Sequence, residues 1–526
     1  MSRTAIPLRR GAIAGLMALT AWVAAMNVPA TAAVGVDSSE LRNAVTVEGI
    51  REHQAAFQAI ADANSSTRLA GTGGYDDSAD YVVERLEAAG YDPVLQPFDF
   101  AFFQQLSPSV LEQVSPNATA YVEGTDFLIM QYSGSGDVTA DVQPTNDVVI
   151  PPGATANTSN SGCEPEDFTG FTAGNIALIQ RGTCTFFQKA INAQDAGASG
   201  VLIFNEGQAG RTDALSGTLG SPDFTIPVLF TTFALGEDLY SLSQAGPVSI
   251  HMVTDTVSEI RSTNNVIAET SGGRSDRVVV VGAHLDSVQE GPGINDNGSG
   301  SATILEIAEQ FAELGIEPRN KVRFAWWGAE EEGLLGSEFY VSQLTKREIK
   351  DIALNLNFDM VGSPNFVRFV YDGDGSDTPV KGPTGSAQVE DVFLDYFADQ
   401  GLETDPTAFD GRSDYGPFIA VGIPAGGLFT GAEGLKTAEQ VAIYGGIEGE
   451  QYDPCYHEAC DTFAGTGGAT PPGLGLVALD QMSDAAAHAI LAFAMTTSAV
   501  PGTDKGSARG LANLDALEFR GSMAQR

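Results

Sequence analysis

The sequence predicts an α/β protein: a three-layer sandwich with a mostly parallel mixed sheet between helices, plus a smaller α/β module. Three observations carry this. From about residue 259, strand-like and helix-like runs alternate, the pattern of a parallel sheet with helices on both faces. Residues from about 107 to 257 differ in texture, with short apolar runs between clusters of Gly, Asn, Ser and Thr. The chain of 526 residues is long for one domain, and 43% apolar residues suffice for more than one core.

Taken in order, Arg3, Arg9 and Arg10 precede an apolar stretch, Ala12 to Val28, that is short for a membrane span. The small-residue site Ala30-Thr31-Ala32 follows, so residues 1–33 read as an export signal. The mature chain is expected to be secreted and free of the membrane. Val45, Ile50, His53, Phe57 and Ile60 recur at helical spacing. Beyond Gly71 to Gly74, the residues Tyr81, Val82, Leu86 and Ala89 continue a second helix that Gly90 ends, and Val94 to Phe98 reads as a strand. In the smaller module, strands are expected at Val148–Ile150, Ile176–Gln180, Val201–Phe204 and Val228–Phe230, with a helix over Phe186–Ala196. Afterwards come strands at Val278–Val281, Val322–Trp327 and Leu354–Phe358, and helices at Ala302–Leu314, Ala387–Gln400 and Ser483–Met495. Residues 501–526 read as a loosely held tail.

The formal net charge of -41 argues against a nucleic-acid partner, because a polyanion is repelled. An exported chain meets an oxidising compartment, so its four cysteines are expected to pair, and proximity favours Cys163 with Cys184 and Cys455 with Cys460.

Chemistry concentrates where strands end. Val278–Val281 runs into His284 and Asp286, Val322–Trp327 into Glu330-Glu331-Glu332, and Leu354–Phe358 into Asp359. In a parallel sheet those ends share one edge, where ligands gather. Asp296 lies in a Gly- and Asn-rich loop just before the Ala302 helix, where its carboxylate can bridge two metals. Of the five histidines, His284 and His457 sit in loops beside acids; His53 and His488 follow helical patterns, and His251 has no acid cluster near it in sequence. Imidazoles with several carboxylates are the donor set of paired divalent metals. Asp286, two residues from His284 on an extended segment, is placed to hold the other ring nitrogen. Of the adjacent Glu330 and Glu331, one can ligate while the other takes a proton from water.

AHLDSVQEGPGINDNGSG, FAWWGAEEEGLLGS, NFDMVGSPN, GRSDYGPF, GGLFTGA and CYHEACDT, in that order, resemble the M28 peptidases, above all the secreted bacterial zinc aminopeptidases of the Streptomyces type. The likeness covers about 37–105 and 259–499 and implies the zinc exopeptidase fold. CEPEDFTG, GNIALIQRGTCTFFQKAINAQDAGASGVLIFN and PVLFT resemble a protease-associated (PA) domain, inserted over 107–257. The resemblance implies two zinc ions. His284, Asp296 and Asp359 serve one, with Asp296 bridging, and Glu331 and His457 serve the other. It implies Glu330 as general base, Tyr456 as donor to the oxyanion, and Arg412 and Asp414 on the loop near the substrate's N-terminal end. The segment Gly427-Leu428-Phe429 suggests an apolar pocket. Glu332 departs from the family, whose Glu-Glu pair is often followed by an apolar residue. Asp37, Asp480 and Asp484 match aspartates that bind calcium in similar enzymes. The activity implied is removal of hydrophobic, Leu-like residues from peptide or protein N-termini by a monomer. The competing readings are a carboxypeptidase of the family and a non-catalytic receptor-like protein of the same architecture.

Overall fold

The computed structural model describes residues 35–466 and 473–501. The expected export signal at 1–33 and the tail beyond residue 501 lie outside the described residues.

Four parallel strands form the centre: Ala425–Phe429, Ile352–Phe358, Arg274–His284 and Asn320–Trp327, in that spatial order. Every residue of Ile352–Phe358 is buried, as expected for a strand covered on both faces. Alternation sorts the side chains. Val279 and Val281 enter one core with Phe57, Ile304 and Leu479, while Val278 and Val280 enter another with Trp327, Tyr340 and Phe418. The helices Val47–Ala63, Gly73–Ala88, Gly298–Glu313 and Leu474–Met495 supply the first layer, and Leu335–Gln343 and Tyr415–Ala420 the second. The chain leaves Arg274–His284 for Asn320–Trp327 on one side, then returns to Ile352–Phe358 on the other. Strand order therefore reverses beside Arg274–His284, and such switch points open a crevice at the carboxyl ends.

The smaller module repeats this plan. Gly136–Pro144, Ile176–Gln180, Gly200–Phe204 and Val228–Thr231 are parallel neighbours, and Phe127–Ile129 closes the edge antiparallel. Ala177 and Ile179 face a core with Phe186, and Leu178 and Leu202 face one with Leu235 and Leu239. Val148–Ile150, expected as a strand, is irregular; its strand position is taken by Gly136–Pro144. There the Gln180 side chain substitutes for a ladder partner, accepting from Val149 N–H at 2.7 Å and donating to its carbonyl at 3.1 Å.

The two modules share strands. Val94–Ser115 and Ser249–Glu269 pair antiparallel from Val94 opposite Ile267 to Ser115 opposite Ser249. One end of Ser249–Glu269 pairs with Asn320–Trp327 and the other with Gly136–Pro144, so one sheet runs through both modules. Pro108 falls within the register shift between Ser107 and Val110, where its missing N–H leaves no gap in the ladder. The late helix begins at Leu474, nine residues before the predicted Ser483, because Gly475, Ala478, Leu479 and Met482 extend its buried face.

Candidate metal centre

Strand register sets the site. Trp327 is opposite His284, so the two strands end together, and the Glu330–Glu332 turn leaves beside the histidine. Ile352–Phe358 lies on the other side of Arg274–His284 and ends at Asp359. Several connecting residues adopt left-handed backbone that side-chain-bearing residues seldom take: Ala329 (φ 55°), Met360 (φ 53°) and His457 (φ 58°). Such residues cluster at sites the surrounding fold over-determines.

The side chains converge. His284 Nε2 lies 3.1 Å from Asp296 Oδ1 and 3.4 Å from Asp359 Oδ1. His457 Nε2 lies 3.2 Å from Asp296 Oδ2 and 3.2 Å from Glu331 Oε2. Asp296 thus offers one oxygen to each histidine group. Glu330 stands slightly back, its Oε2 4.0 Å from His284 Nε2. Ligand atoms of His284, Asp296 and Glu331, and likewise of His284, Glu330 and Asp359, lie within 4.8 Å of one another.

Electrostatics fit cation binding. Burial opposes charge on His284, yet Glu330 and Asp359 and hydrogen bonds to Asp286 and Asp296 hold its pKa well above the ordinary value. Against the same burial, Glu331 and Asp296 push His457 up to about 10. Burial raises Glu330 and Glu331, whereas hydrogen bonds from both histidines outweigh burial and lower Asp296. Asp359 Oδ1 is buried with no hydrogen-bond partner. Two imidazoles amid four buried carboxylates, with an acceptor oxygen left over, form a donor set suited to zinc.

Further residues hold this set. Asp286 accepts from the backbone N–H groups of Glu330 and Glu331, both at 3.2 Å, and its Oδ1 is 3.6 Å from His284 Nδ1. Asp461 accepts from the N–H groups of Asn295 at 2.7 Å and Asp296 at 2.9 Å. Asn295 Nδ2 donates to Asp453 at 2.6 Å. Ser413 Oγ donates to Asp359 Oδ2 at 2.5 Å. The fully buried Arg68 donates to the carbonyls of Pro292 (2.8 Å), Gly293 (2.7 Å) and Leu285, pinning the loop that carries Asp296. Sequence reasoning missed Asp461, Ser413 and Arg68. The first two lie inside motifs quoted for the family, but nothing around Arg68 marks it.

With that geometry in view, kinship follows. Residues 265–472 match the model of peptidase family M28, and residues 144–239 match the PA domain. An aminopeptidase of Pseudomonas aeruginosa is 51% identical over 407 residues, covering 77% of this chain and 74% of the relative. The chain belongs to peptidase family M28. Leucine aminopeptidase 2 of Trichophyton equinum is 41% identical over 431 residues, 82% of each chain. An aminopeptidase from Aneurinibacillus sp. superposes with a TM-score of 0.59 at 25% identity, over 85% of this chain and 95% of its own. A zinc aminopeptidase from Bacillus subtilis shares the fold, with a TM-score of 0.54 at 23% identity over 88% and 98%.

Within this M28 site a cleft opens over the donor set, with Tyr371, Phe429, Ala432, Arg412 and Tyr456 among its walls. Phe429 stacks on Phe369 at 5.9 Å between centroids. Tyr456 stacks on His457 at 3.8 Å, and its Oη accepts from Arg412 at 3.2 Å. Arg412 is also bound by Glu433 at 2.6 Å. Asp414, expected on the loop near the substrate, is buried at the start of Tyr415–Ala420, where burial pushes its carboxyl up to about 8. Asp484 meets Arg42 and Tyr396, each at 3.4 Å, while Asp37 accepts from Ser39 N–H. Among the described residues, Asp37, Asp480 and Asp484 do not gather at ligand distance. Cys163–Cys184 and Cys455–Cys460 are disulfides, the second flanking Tyr456 and His457.

Proposed function

We infer that the chain is a zinc-dependent aminopeptidase, exported and free of the membrane, that releases apolar, Leu-like residues from peptide N-termini. The observation carrying the mechanism is Asp296, whose two oxygens face His284 and His457 separately. The residues that would hold zinc are His284 and Asp359 on one side, Glu331 and His457 on the other, and Asp296 between. When bound, such a pair of ions acidifies a water and polarises the scissile carbonyl.

The chain's own groups do the rest. Glu330 lines the cleft beside the donor set without facing a histidine as closely as Asp296 does. It takes the proton of the attacking water and returns it to the leaving amine. Arg412 donates to Tyr456 Oη, which leaves the phenol proton to point at the developing oxyanion. Phe429 and Tyr371 offer an apolar wall to the first side chain. The carboxylates suit a free ammonium better than a carboxylate, which favours an aminopeptidase over a carboxypeptidase. The names of the Pseudomonas and Trichophyton relatives support that choice. Export is supported by the N-terminal sequence and the two disulfides, and no described helix is long and apolar enough to cross a membrane. The test is zinc stoichiometry together with residue release from a peptide panel. Fewer than two zinc ions per active chain, or release from the C-terminal end, defeats it.

A further inference from the structure

A second cavity, about 570 Å³, lies between the PA module and the peptidase sheet. That volume falls within the 300–1,000 Å³ or so of ligand-binding pockets, room for a short stretch of peptide. Glu331 lines both this cavity and the zinc-site cleft, so the two meet at the donor set. Its floor is Leu69, Val288 and Glu332 from the peptidase; its opposite wall is Leu128, Ile129 and Ser216 from the insert. The wall is fixed in place. Gln131 N–H donates to the Gly217 carbonyl at 2.9 Å, and its side chain donates to Glu332 at 3.4 Å across the boundary. Gln289 donates to the Gln105 carbonyl at 2.7 Å at the junction with the shared strands.

We propose that this cleft carries the peptide beyond the scissile bond, so that the PA module selects substrates by the residues after the first. The inference rests on the aminopeptidase reading above. A first side chain among Phe429 and Tyr371 puts the scissile carbonyl over the donor set, and the remaining chain leaves past Glu331 into the second cavity. Among the described residues, Glu123, Glu290 and Glu332 line that cavity besides the ligand Glu331, and no Lys, Arg or His does. It therefore favours Lys or Arg at the second and third positions and repels the nearby carboxylate of a dipeptide. Longer peptides with basic second residues are the preferred class.

The experiment compares Leu-p-nitroanilide, which has no chain beyond the bond, with Leu-Lys-Gly-Gly and Leu-Glu-Gly-Gly amides. The wild-type enzyme should prefer the Lys peptide by about tenfold in kcat/KM, with the preference shrinking in high salt. Ser216→Trp, which fills the cleft from the insert side, should lower tetrapeptide kcat/KM tenfold or more through KM, with Leu-p-nitroanilide turnover within twofold. Glu290→Lys should narrow or reverse the Lys-over-Glu preference. Unchanged tetrapeptide cleavage in Ser216→Trp, or an equal loss on all substrates, overturns the proposal. So does a wild-type enzyme indifferent to the second residue. Failure of the wild type to cleave Leu-p-nitroanilide at all counts instead against the aminopeptidase reading.

Discussion

Asp461→Asn is the most informative single substitution outside the ligand set. Asp461 meets the proposed ligand Asp296 only at its backbone N–H, and so holds the backbone that aims it. Its two oxygens take the N–H groups of Asn295 and Asp296 at 2.7 and 2.9 Å, in a buried setting. Asparagine keeps the shape but has one acceptor oxygen, and its NH2 faces one of those N–H donors. One hydrogen bond, worth about 0.5–1.5 kcal/mol, is lost and one buried donor is left unpaired at a cost of about 1–3 kcal/mol. If that cost falls on the geometry of Asp296, zinc affinity drops about 10–100-fold, since about 1.4 kcal/mol is a factor of ten. The assay is chelator competition for bound zinc, read beside turnover at saturating zinc. Affinity should fall by that range while saturating zinc restores most of kcat. Wild-type zinc affinity, or normal affinity with kcat lost, would refute the idea that Asp461 acts by positioning Asp296.

Other outcomes follow from the same geometry. Glu330→Gln should retain zinc yet lose about 10²–10⁴-fold in kcat, the scale of general base catalysis; near-normal turnover removes Glu330 from that role. Phe429→Ala should cut the preference for Leu over Ala substrates by about 10–200-fold, measured as a ratio of kcat/KM, with zinc content unchanged. Burial pushes Glu390 from its usual range up to about 7, although it accepts from Gly373 N–H at 2.9 Å and Asp374 N–H at 3.3 Å. A raised folded-state pKa stabilises below the unfolded value of 4.5 and is lost as pH rises through about 7. Unfolding free energy should therefore fall by up to about 3 kcal/mol between those pH values through this group, and Glu390→Gln should flatten that slope in denaturant titrations.

How far the site could be read from sequence depends on how each residue is held. His284 and Asp359 finish strands whose parallel register is written in their apolar runs, so the sheet brings them to one edge. Phe429 ends another such strand and likewise reaches the cleft. His457 obeys no strand rule. It sits in left-handed backbone between two disulfide cysteines, far along the chain, and only a family likeness points to it. Asp414 is held differently from its neighbour: it is buried at the start of Tyr415–Ala420, while Arg412, two residues earlier, lines the cleft. Arg68 was illegible because its value comes from three carbonyls of one loop, more than 200 residues away, that no local pattern announces.

The junction of the modules was hidden for a different reason. A composition shift near residues 107 and 257 reads as a boundary, and boundaries are usually linkers. Here the two crossing segments are strands paired along their length, with Pro108 absorbed at an irregular register. A linker would let the insert drift; a continuous ladder fixes it, and with it the wall that Leu128, Ile129 and Ser216 present to the peptidase. Side-chain bonds at Gln131 and Gln289 close that arrangement at the cleft itself. The insert is thus built as a fixed part of the ground around the zinc site, which is what a subsite for the departing peptide requires and a tethered accessory domain could not supply.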